Sequence, residues 1–477
     1  MNTRRAFLQT ASYTAIGLQS ANVFGEAERN VFESKRPPLE KRTFVSEAIE
    51  RKIKEVKAAI RDPEVAWLFE NCYPNTLDTT TDFEVIDGKP DTFIITGDID
   101  AMWLRDSTCQ VWPYMPLIHS DEKLLALVRG LINRQVKCVL LDPYANAFYK
   151  DLTRLSKHKE DRPALKPGVH ECKWEIDSLC YVIRLAHRYY TTTLDCSCFD
   201  ADWDRAMRQI VSTFRVEQRK DGTSPYRFIR KTTCMFDAPV YQGTGYPVRP
   251  VGMICSMFRP SDDATILPFL IPSNLFAVQA LRQLAEIYGQ GLKRPDFAGE
   301  CRALADEVEA AVMKWGTAEH LGYGRIYAYE ADGFGNRLFM DDANVPSLTS
   351  LCYLGIHRPE EPLYANTRRY LMSEDNPWYL RGKAAEGFGS PHTGKQTIWP
   401  MGIILRALTS DDPKEIRLCL HMLKATHAGT GFMHESFHKD NPADFSRKWF
   451  AWANTLFGEL LVKVHQSHPE ILTKSEL

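Results

Sequence analysis

Apolar residues recur at spacings of three and four through most of this chain. Polar stretches marked by glycine, proline and tryptophan interrupt them. The pattern predicts amphipathic or apolar helices over 46–61, 104–118, 121–140, 175–190, 201–218, 273–289, 295–315, 345–355, 360–373, 398–410, 413–426 and 447–465. Ser46-Glu47-Ala48-Ile49-Glu50 reads as a capped helix start. Pro272-Ser273-Asn274, ahead of Leu275-Phe276-Ala277-Val278, reads as another. Strand-like pieces are short: Thr92 to Thr96, Tyr226 to Ile229, and Gly324 to Ala328.

The connections alternate between short and long. The long ones cover about 74–103, 142–173, 219–271, 316–344 and 374–397. Helical hairpins with every long loop on one face account for this economically. Closed into a ring, six such hairpins give an all-α (α/α)6 barrel, a six-hairpin toroid with its long loops on the active-site face. Two stacked helical domains are the alternative. No Gly/Ser- or Pro-rich linker marks a boundary, which favours one catalytic domain over 28–477.

Composition narrows the function. A hydrophobic fraction of 44% and a charged fraction of 25% are those of an ordinary globular protein, and a net charge of -2 gives no electrostatic reason to bind nucleic acid or anionic lipid. No apolar run approaches the ~18 residues of a membrane span, so no membrane insertion is expected. The chain has 10 Trp, 19 Tyr and 24 Phe, and several accompany acids in loops, where they are either core filling or platforms for the C–H-rich face of a sugar ring. Thr3-Arg4-Arg5-Ala6-Phe7-Leu8-Gln9, followed by a weakly apolar stretch, resembles a twin-arginine export signal over 1–27. The expectation is an exported, periplasmic protein. The twelve cysteines are scattered, many of them inside apolar helical runs, a pattern that reads as buried free thiols, with no zinc-type spacing.

The candidate chemistry sits where the helical runs meet the long loops. Trp103, Arg105 and Asp106 crowd into one turn with further acids, where a helix cap would need only one of them. An Arg–Asp pair can hold two vicinal hydroxyls, one as donor and one as acceptor. Lys173-Trp174-Glu175-Ile176-Asp177-Ser178 repeats the combination and makes Trp174, Glu175 and Asp177 a second wall of the same pocket, with a local cap as the alternative. Asp262 and Asp263 are adjacent carboxylates among apolar neighbours. A like charge nearby raises at least one pKa, as a general acid near neutral pH requires. Spacing leaves open which of the two faces inward.

Asp341-Asp342 fits either stacked helix-start acids or substrate contacts. No loop supplies a calcium pattern, and neither metal nor cofactor is expected. The glycine-rich run 382–393 allows close backbone approach and carries His392 toward a second sugar. Glu435, in Gly431-Phe432-Met433-His434-Glu435-Ser436-Phe437, is placed to act as a general base toward water, with Ser436 or His434 orienting it. No Gly-x-Ser-x-Gly elbow, phosphate loop or dinucleotide fingerprint is present. Carboxylate pairs, aromatics and export together point to glycoside hydrolysis.

Met102 to Ser107, Trp174 to Ser178, Arg259 to Asp263, Ile271 to Asn274, and Gly431 to Phe437 together resemble glycoside hydrolase family 125, the bacterial exo-α-1,6-mannosidases, over about 40–465. The resemblance implies an (α/α)6 barrel and metal-independent hydrolysis with inversion. It implies release of mannose from non-reducing ends of N-glycans or mannan, the partners being an α-mannoside glycan and water. The family's acid matches the Asp262–Asp263 pair, with Asp262 the preferred member, and its base matches Glu435. Asn274 falls in a matching motif and joins the binding residues. The alternatives are a glycan-binding protein on an inactive glycosidase scaffold, or another exo-α-glycosidase.

Overall fold

The computed structural model describes residues 32–222 and 224–474. The proposed export signal therefore lies outside the described residues. Ser34–Leu477 forms one compact unit. Among the described residues, twelve α-helices have eight residues or more: α1 Glu47–Ala59, α2 Pro63–Cys72, α3 Leu104–Val111, α4 Glu122–Leu141, α5 Ile176–Thr193, α6 Ala201–Glu217, α7 Ile271–Glu286, α8 Pro295–Trp315, α9 Pro362–Leu371, α10 Pro400–Leu408, α11 Pro413–Thr426 and α12 Ala451–Ser467.

They form the expected (α/α)6 barrel. Inner positions are taken by α3, α5, α7, the 345–355 segment, α10 and α12. Their outer partners are α4, α6, α8, α9, α11 and α2, and α1 is an additional helix packed on α2 and α12. The ring closes where α12 packs on α3, and α3 packs on α5, which packs on α7. Inner helices are apolar or buried nearly all round: every residue of α3 is buried, as is all of α10 but Arg406. Outer helices are one-sided. In α6 the buried positions Trp203, Ala206, Met207, Ile210, Val211 and Phe214 recur every three or four residues, so one stripe meets the core.

Side-chain caps occur at four of the six outer helices and at none of the inner ones; outer α8 and α9 start on proline without one. Asp62, Asp121, Asp200 and Asp412 accept backbone N–H groups at the starts of outer helices α2, α4, α6 and α11. The inner helices α3, α5, α7, α10 and α12 have no side-chain cap. All five start on the face of the long loops. The partial positive charge of their N-termini therefore points toward the acids collected there.

Three small antiparallel sheets brace that face. Met102–Trp103 pairs with Ala147–Phe148 and runs into α3. Phe269–Leu270 pairs with Glu330–Ala331 and runs into α7. Thr397–Ile398 pairs with Ser436–His438 before α10.

Three helix expectations need revision. The run 104–118 breaks after Val111 into a 3-10 segment, Trp112–Ser120, because Pro113 and Pro116 remove helical donors. The run 345–355 forms only the 3-10 turn Thr349–Leu351. Helix α2, whose start is signalled by Asp62-Pro63-Glu64, was not among the runs read from periodicity. Of the short strand expectations, Gly324–Tyr327 forms, Thr92 to Ile94 ends a strand begun at Lys89, and Tyr226 to Ile229 contributes only the isolated bridge at Ile229. All twelve cysteines are free and most are buried; Cys234 is exposed.

Candidate active site

A cavity of about 190 Å³ opens at the N-terminal ends of the inner helices, lined by Trp103, Arg105, Asp106, Asp262, His392, Glu435 and Arg447, with Trp399, Phe450 and Trp452 as its further aromatic surface. It is smaller than the ~300–1,000 Å³ of sites for drug-sized ligands. It matches one small ring better than a chain of them.

Asp262 and Asp263 are separated by backbone geometry. Asp262 adopts a left-handed conformation, φ 65°, which non-glycine residues rarely hold without compensation. Three contacts supply it: Asn146 Nδ2 donates to Asp262 Oδ1 at 3.1 Å, Lys173 Nζ donates to its carbonyl at 2.8 Å, and Arg105 Nη2 lies 3.7 Å from Oδ1. The turn presents Asp262 to the cavity with 26% of its side chain exposed. Burial works against its charge, but Lys173 and Arg105 outweigh burial and hold the carboxyl below the usual range. Asp263 does not line the cavity. Its side chain is buried, and His392 Nδ1 lies 3.0 Å from its Oδ1. Burial raises Asp263, and His392 only partly offsets that.

Arg105 is the hub of the acidic wall. Its Nη1 donates to Glu175 Oε2 at 2.7 Å and to Asp177 Oδ2 at 3.1 Å, and its Nε lies 3.6 Å from Asp106 Oδ2. Burial lifts Asp106 to about 6 despite Arg105. Of this wall, Arg105 and Asp106 reach the cavity.

Glu435 faces the cavity from the opposite part of the chain. Ser446 Oγ donates to its Oε2 at 2.9 Å, and Arg447 Nη1 donates to its Oε1 at 3.3 Å. Arg447, itself left-handed at φ 43°, also donates to Asp98 Oδ1 at 2.6 Å and Thr96 Oγ1 at 3.0 Å. Gly97 permits this approach: at φ 131° it lies so close to Trp449 that a Cβ would stand 2.4 Å from the Trp449 carbonyl oxygen. The 96–98 loop thereby docks on the segment entering α12, and Asp98 meets Arg447. The signal for Arg447 was weak in the sequence, where it reads only as the first residue of the helical run 447–465; the structure starts that helix at Ala451.

Several expected binding residues stand behind the cavity or away from it. Trp174 is fully buried, with Nε1 donating to the Cys255 carbonyl at 2.8 Å. Glu175 and Asp177 are fully buried under Arg105. Asn274 clamps backbone, accepting from Ile254 N at 2.8 Å and donating to the Ile254 and Leu270 carbonyls at 2.9 Å. Asp341 accepts Leu348 N at 2.8 Å and Thr349 N at 2.9 Å, so it caps the 3-10 turn. Asp342 accepts Asn344 N at 3.1 Å and Ser390 Oγ at 2.9 Å, fixing two loops. His434 stacks on Phe445 at 3.7 Å, and burial lowers it to about 4, so it does not orient Glu435. Ser446 and Arg447 do that, and the expected Ser436 stands behind them, its Oγ 2.8 Å from Ser446 Oγ.

A family model for metal-independent α-mannosidases, GH125, matches residues 62–462. The meiotically up-regulated gene 157 protein of Schizosaccharomyces pombe (strain 972 / ATCC 24843) is 41% identical over 458 residues, covering 92% of this chain and 90% of that protein. A structure from Streptococcus pneumoniae is 39% identical with a TM-score of 0.84, covering 88% of this chain and 99% of that one. That protein, from a family described as widely distributed metal-independent α-mannosidases in the processing of N-linked glycans, was solved as a non-productive substrate complex with α-1,6-mannobiose.

Proposed function

We infer that this chain, which belongs to the metal-independent α-mannosidases of family GH125 and is a hydrolase of that family, releases single mannose units from α-1,6-linked non-reducing ends with inversion at the anomeric carbon. The observation that carries this reading is that Asp262 and Glu435, far apart in sequence, line one cavity the size of a single ring. A cavity with room for one ring favours removal of terminal units over internal cleavage. The α-1,6 linkage is supported by the mannobiose bound to the Streptococcus pneumoniae protein.

In this mechanism a protonated Asp262 donates to the glycosidic oxygen as the C1–O bond breaks. Glu435, oriented by Ser446 and Arg447, takes a proton from the water that attacks C1 from the opposite face. Arg105 and Asp106 hold hydroxyls of the terminal sugar, and Trp399 and Trp103 offer apolar surface to its ring. The His392 imidazolium, anchored by Asp263, adds a positive charge beside the departing sugar. Inverting enzymes keep their carboxyls ~6.5–9.5 Å apart to admit the water.

The test is a panel of α-linked mannobioses followed by proton NMR from the first seconds of turnover. Preferential cleavage of the α-1,6 isomer with β-mannose appearing first is expected. First-formed α-mannose overturns inversion, and indifference to linkage overturns the specificity. Export is a separate proposal that rests on Thr3 to Gln9. The fission-yeast relative lends it no support, and fractionation of cells expressing the full chain with and without Arg4→Lys/Arg5→Lys decides it.

A further inference from the structure

We propose that Glu175 is the store of the catalytic proton: it holds the acid hydrogen in the resting enzyme and passes it to Asp262 when substrate fills the cavity. This rests on the assignment of Asp262 as general acid. Glu175 sits one residue ahead of α5 with no exposed side-chain surface. Its Oε2 receives Arg105 Nη1 at 2.7 Å and Ser178 Oγ at 2.8 Å. Its Oε1 is buried and has no donor. Glu175 and Asp262 share the guanidinium of Arg105, Oε2 of Glu175 at 2.7 Å from Nη1 and Oδ1 of Asp262 at 3.7 Å from Nη2, and the charge of each bears on the other. Two carboxyls held on one buried guanidinium, one of them fully buried, attract each other only when a proton lies between them.

The surrounding charges require that proton. Asp106, Glu175, Asp177 and Asp262 all lie 2.7–3.7 Å from the guanidinium of Arg105. Lys173 is shared with Asp237 at 2.9 Å and Glu171 at 3.8 Å, and Arg230 is committed to Asp161, Glu171 and Asp237. Four carboxylates on one buried arginine would leave uncompensated charge, and a buried carboxyl takes up a proton before it stays so. Among the four, Asp262 keeps its charge most easily. It is part exposed, accepts from Asn146, and faces Lys173, Arg105 and His392. His170 is the other imidazole within its electrostatic reach, and Tyr226 is the phenol near Glu175. Burial, by contrast, drives Glu175 well above the carboxylate range.

Substrate reverses the order. A sugar in the cavity covers the exposed part of Asp262 and removes its water, which raises its proton affinity. The hydrogen of Glu175 then moves to Asp262. It goes on to the glycosidic oxygen, which takes the electron pair of the breaking C1–O bond. Water adds to C1 and loses its proton to Glu435. Solvent carries that proton back to the Glu175–Asp262 pair, so one water is consumed per bond cleaved and no other reactant is needed.

The experiment measures kcat on α-1,6-mannobiose and on 2,4-dinitrophenyl α-mannoside, whose leaving group departs without an acid. Wild type, Glu175→Gln and Asp262→Asn are compared. The ratio of the two rates within one preparation is independent of the fraction folded. For Glu175→Gln the ratio is expected to fall ~10²-fold or more, within the range for general acid help. The alkaline limb of kcat on mannobiose is expected to move to lower pH, since Asp262 alone is held below the usual range. An unchanged ratio, or an unmoved alkaline limb, assigns Glu175 a structural role and overturns the proposal. Should Asp262→Asn also leave the ratio unchanged, the acid assignment itself fails; a fall for Asp262→Asn alone confines the failure to Glu175. If Glu175→Gln yields no folded protein, Glu175→Asp is read in the same way: it draws the carboxyl back by one methylene, and an unchanged ratio there overturns the proposal equally.

Discussion

His392 Nδ1 lies 3.0 Å from Asp263 Oδ1, so the two adjacent aspartates serve one cavity in different ways. Asp262 faces the cavity itself, whereas Asp263 acts through the imidazole it holds. Burial works against a charged His392, but the hydrogen bond and charge of Asp263 outweigh it and raise the ring to about 9. At neutral pH a cation therefore stands in the cavity wall beside Asp262 and Glu435. The expectation that one aspartate raises the other by direct repulsion gives way to a division of labour set by the left-handed turn at Asp262.

This pair links stability to pH. His392 titrates near 6.5 in the unfolded chain and near 9 in the folded one, so the folded protein binds the extra proton between those values. Its stabilising contribution is complete below about pH 6.5 and is lost as pH rises through about 9. Thermal midpoints of wild type and His392→Gln, measured from pH 6 to pH 10, are expected to converge toward the alkaline end. A constant gap across that range contradicts the raised imidazole. Groups that titrate there away from the pair, such as Glu459, are common to both proteins and cancel in the difference.

Replacing the proposed base is expected to remove turnover while leaving the sugar-binding groups in place. Glu435→Gln keeps the shape, an acceptor for Arg447 and an NH2 that can donate to Ser446 Oγ, but cannot take a proton from water. A fall in kcat of ~10²–10⁴-fold is expected, the span associated with general base help. Mannose binding measured by calorimetry is expected to change by less than tenfold. Near-normal kcat in this variant would move the base elsewhere.

Arg447 tests orientation apart from proton transfer. It touches Glu435, Asp98 and Thr96, so it ties the base to the loop docked by Gly97. Arg447→Met retains bulk and loses the charge and donors. A carboxylate displaced by ~1 Å costs up to about 10²-fold, so kcat is expected to fall by between tenfold and a hundredfold. Asp98→Asn, which loosens Arg447 without removing it, is expected to fall less. If Asp98→Asn is the more damaging change, Asp98 contacts substrate and the positioning account fails.

How much of this was legible in the sequence depends on where the partners lie. The ring was readable because inner helices are apolar and long loops return on one face. Trp103, Arg105 and Asp106 were readable because they share one turn. Arg447 was not, because its meaning depends on Glu435 across a strand pairing and on Asp98 more than three hundred residues away. Asn146 was hidden in a long loop for the same reason. The failed helix over 345–355 shows the opposite limit. Its apolar spacing is helical, yet the chain there is held by the Asp341 carboxylate at Leu348 and Thr349, a tertiary constraint that periodicity does not register.

Asn274 gives the sharpest separation of support from chemistry, because its motif suggested binding and its contacts are all to backbone. Three hydrogen bonds at 2.8–2.9 Å join it to Ile254 and Leu270, where the chain enters α7. Asn274→Ala leaves one buried N–H and two carbonyls without that partner, at a cost of ~1–3 kcal/mol for each group left unsatisfied. A lowered thermal midpoint is expected, with kcat per folded molecule and KM close to wild type well below the transition. A raised KM in a variant whose midpoint is unchanged would return Asn274 to the sugar-binding surface. The same logic applies to Asp341→Asn, whose carboxylate is turned to Leu348 and Thr349. Its buried carboxyl titrates near 7, above its unfolded value near 3.8. Ionising it therefore opposes folding, and the native state loses stability as pH rises from about 4 through about 7. The asparagine variant lacks that loss but offers one acceptor where the carboxylate offers two, so the gap between the two midpoints is expected to narrow on the alkaline side of 7 while activity is retained.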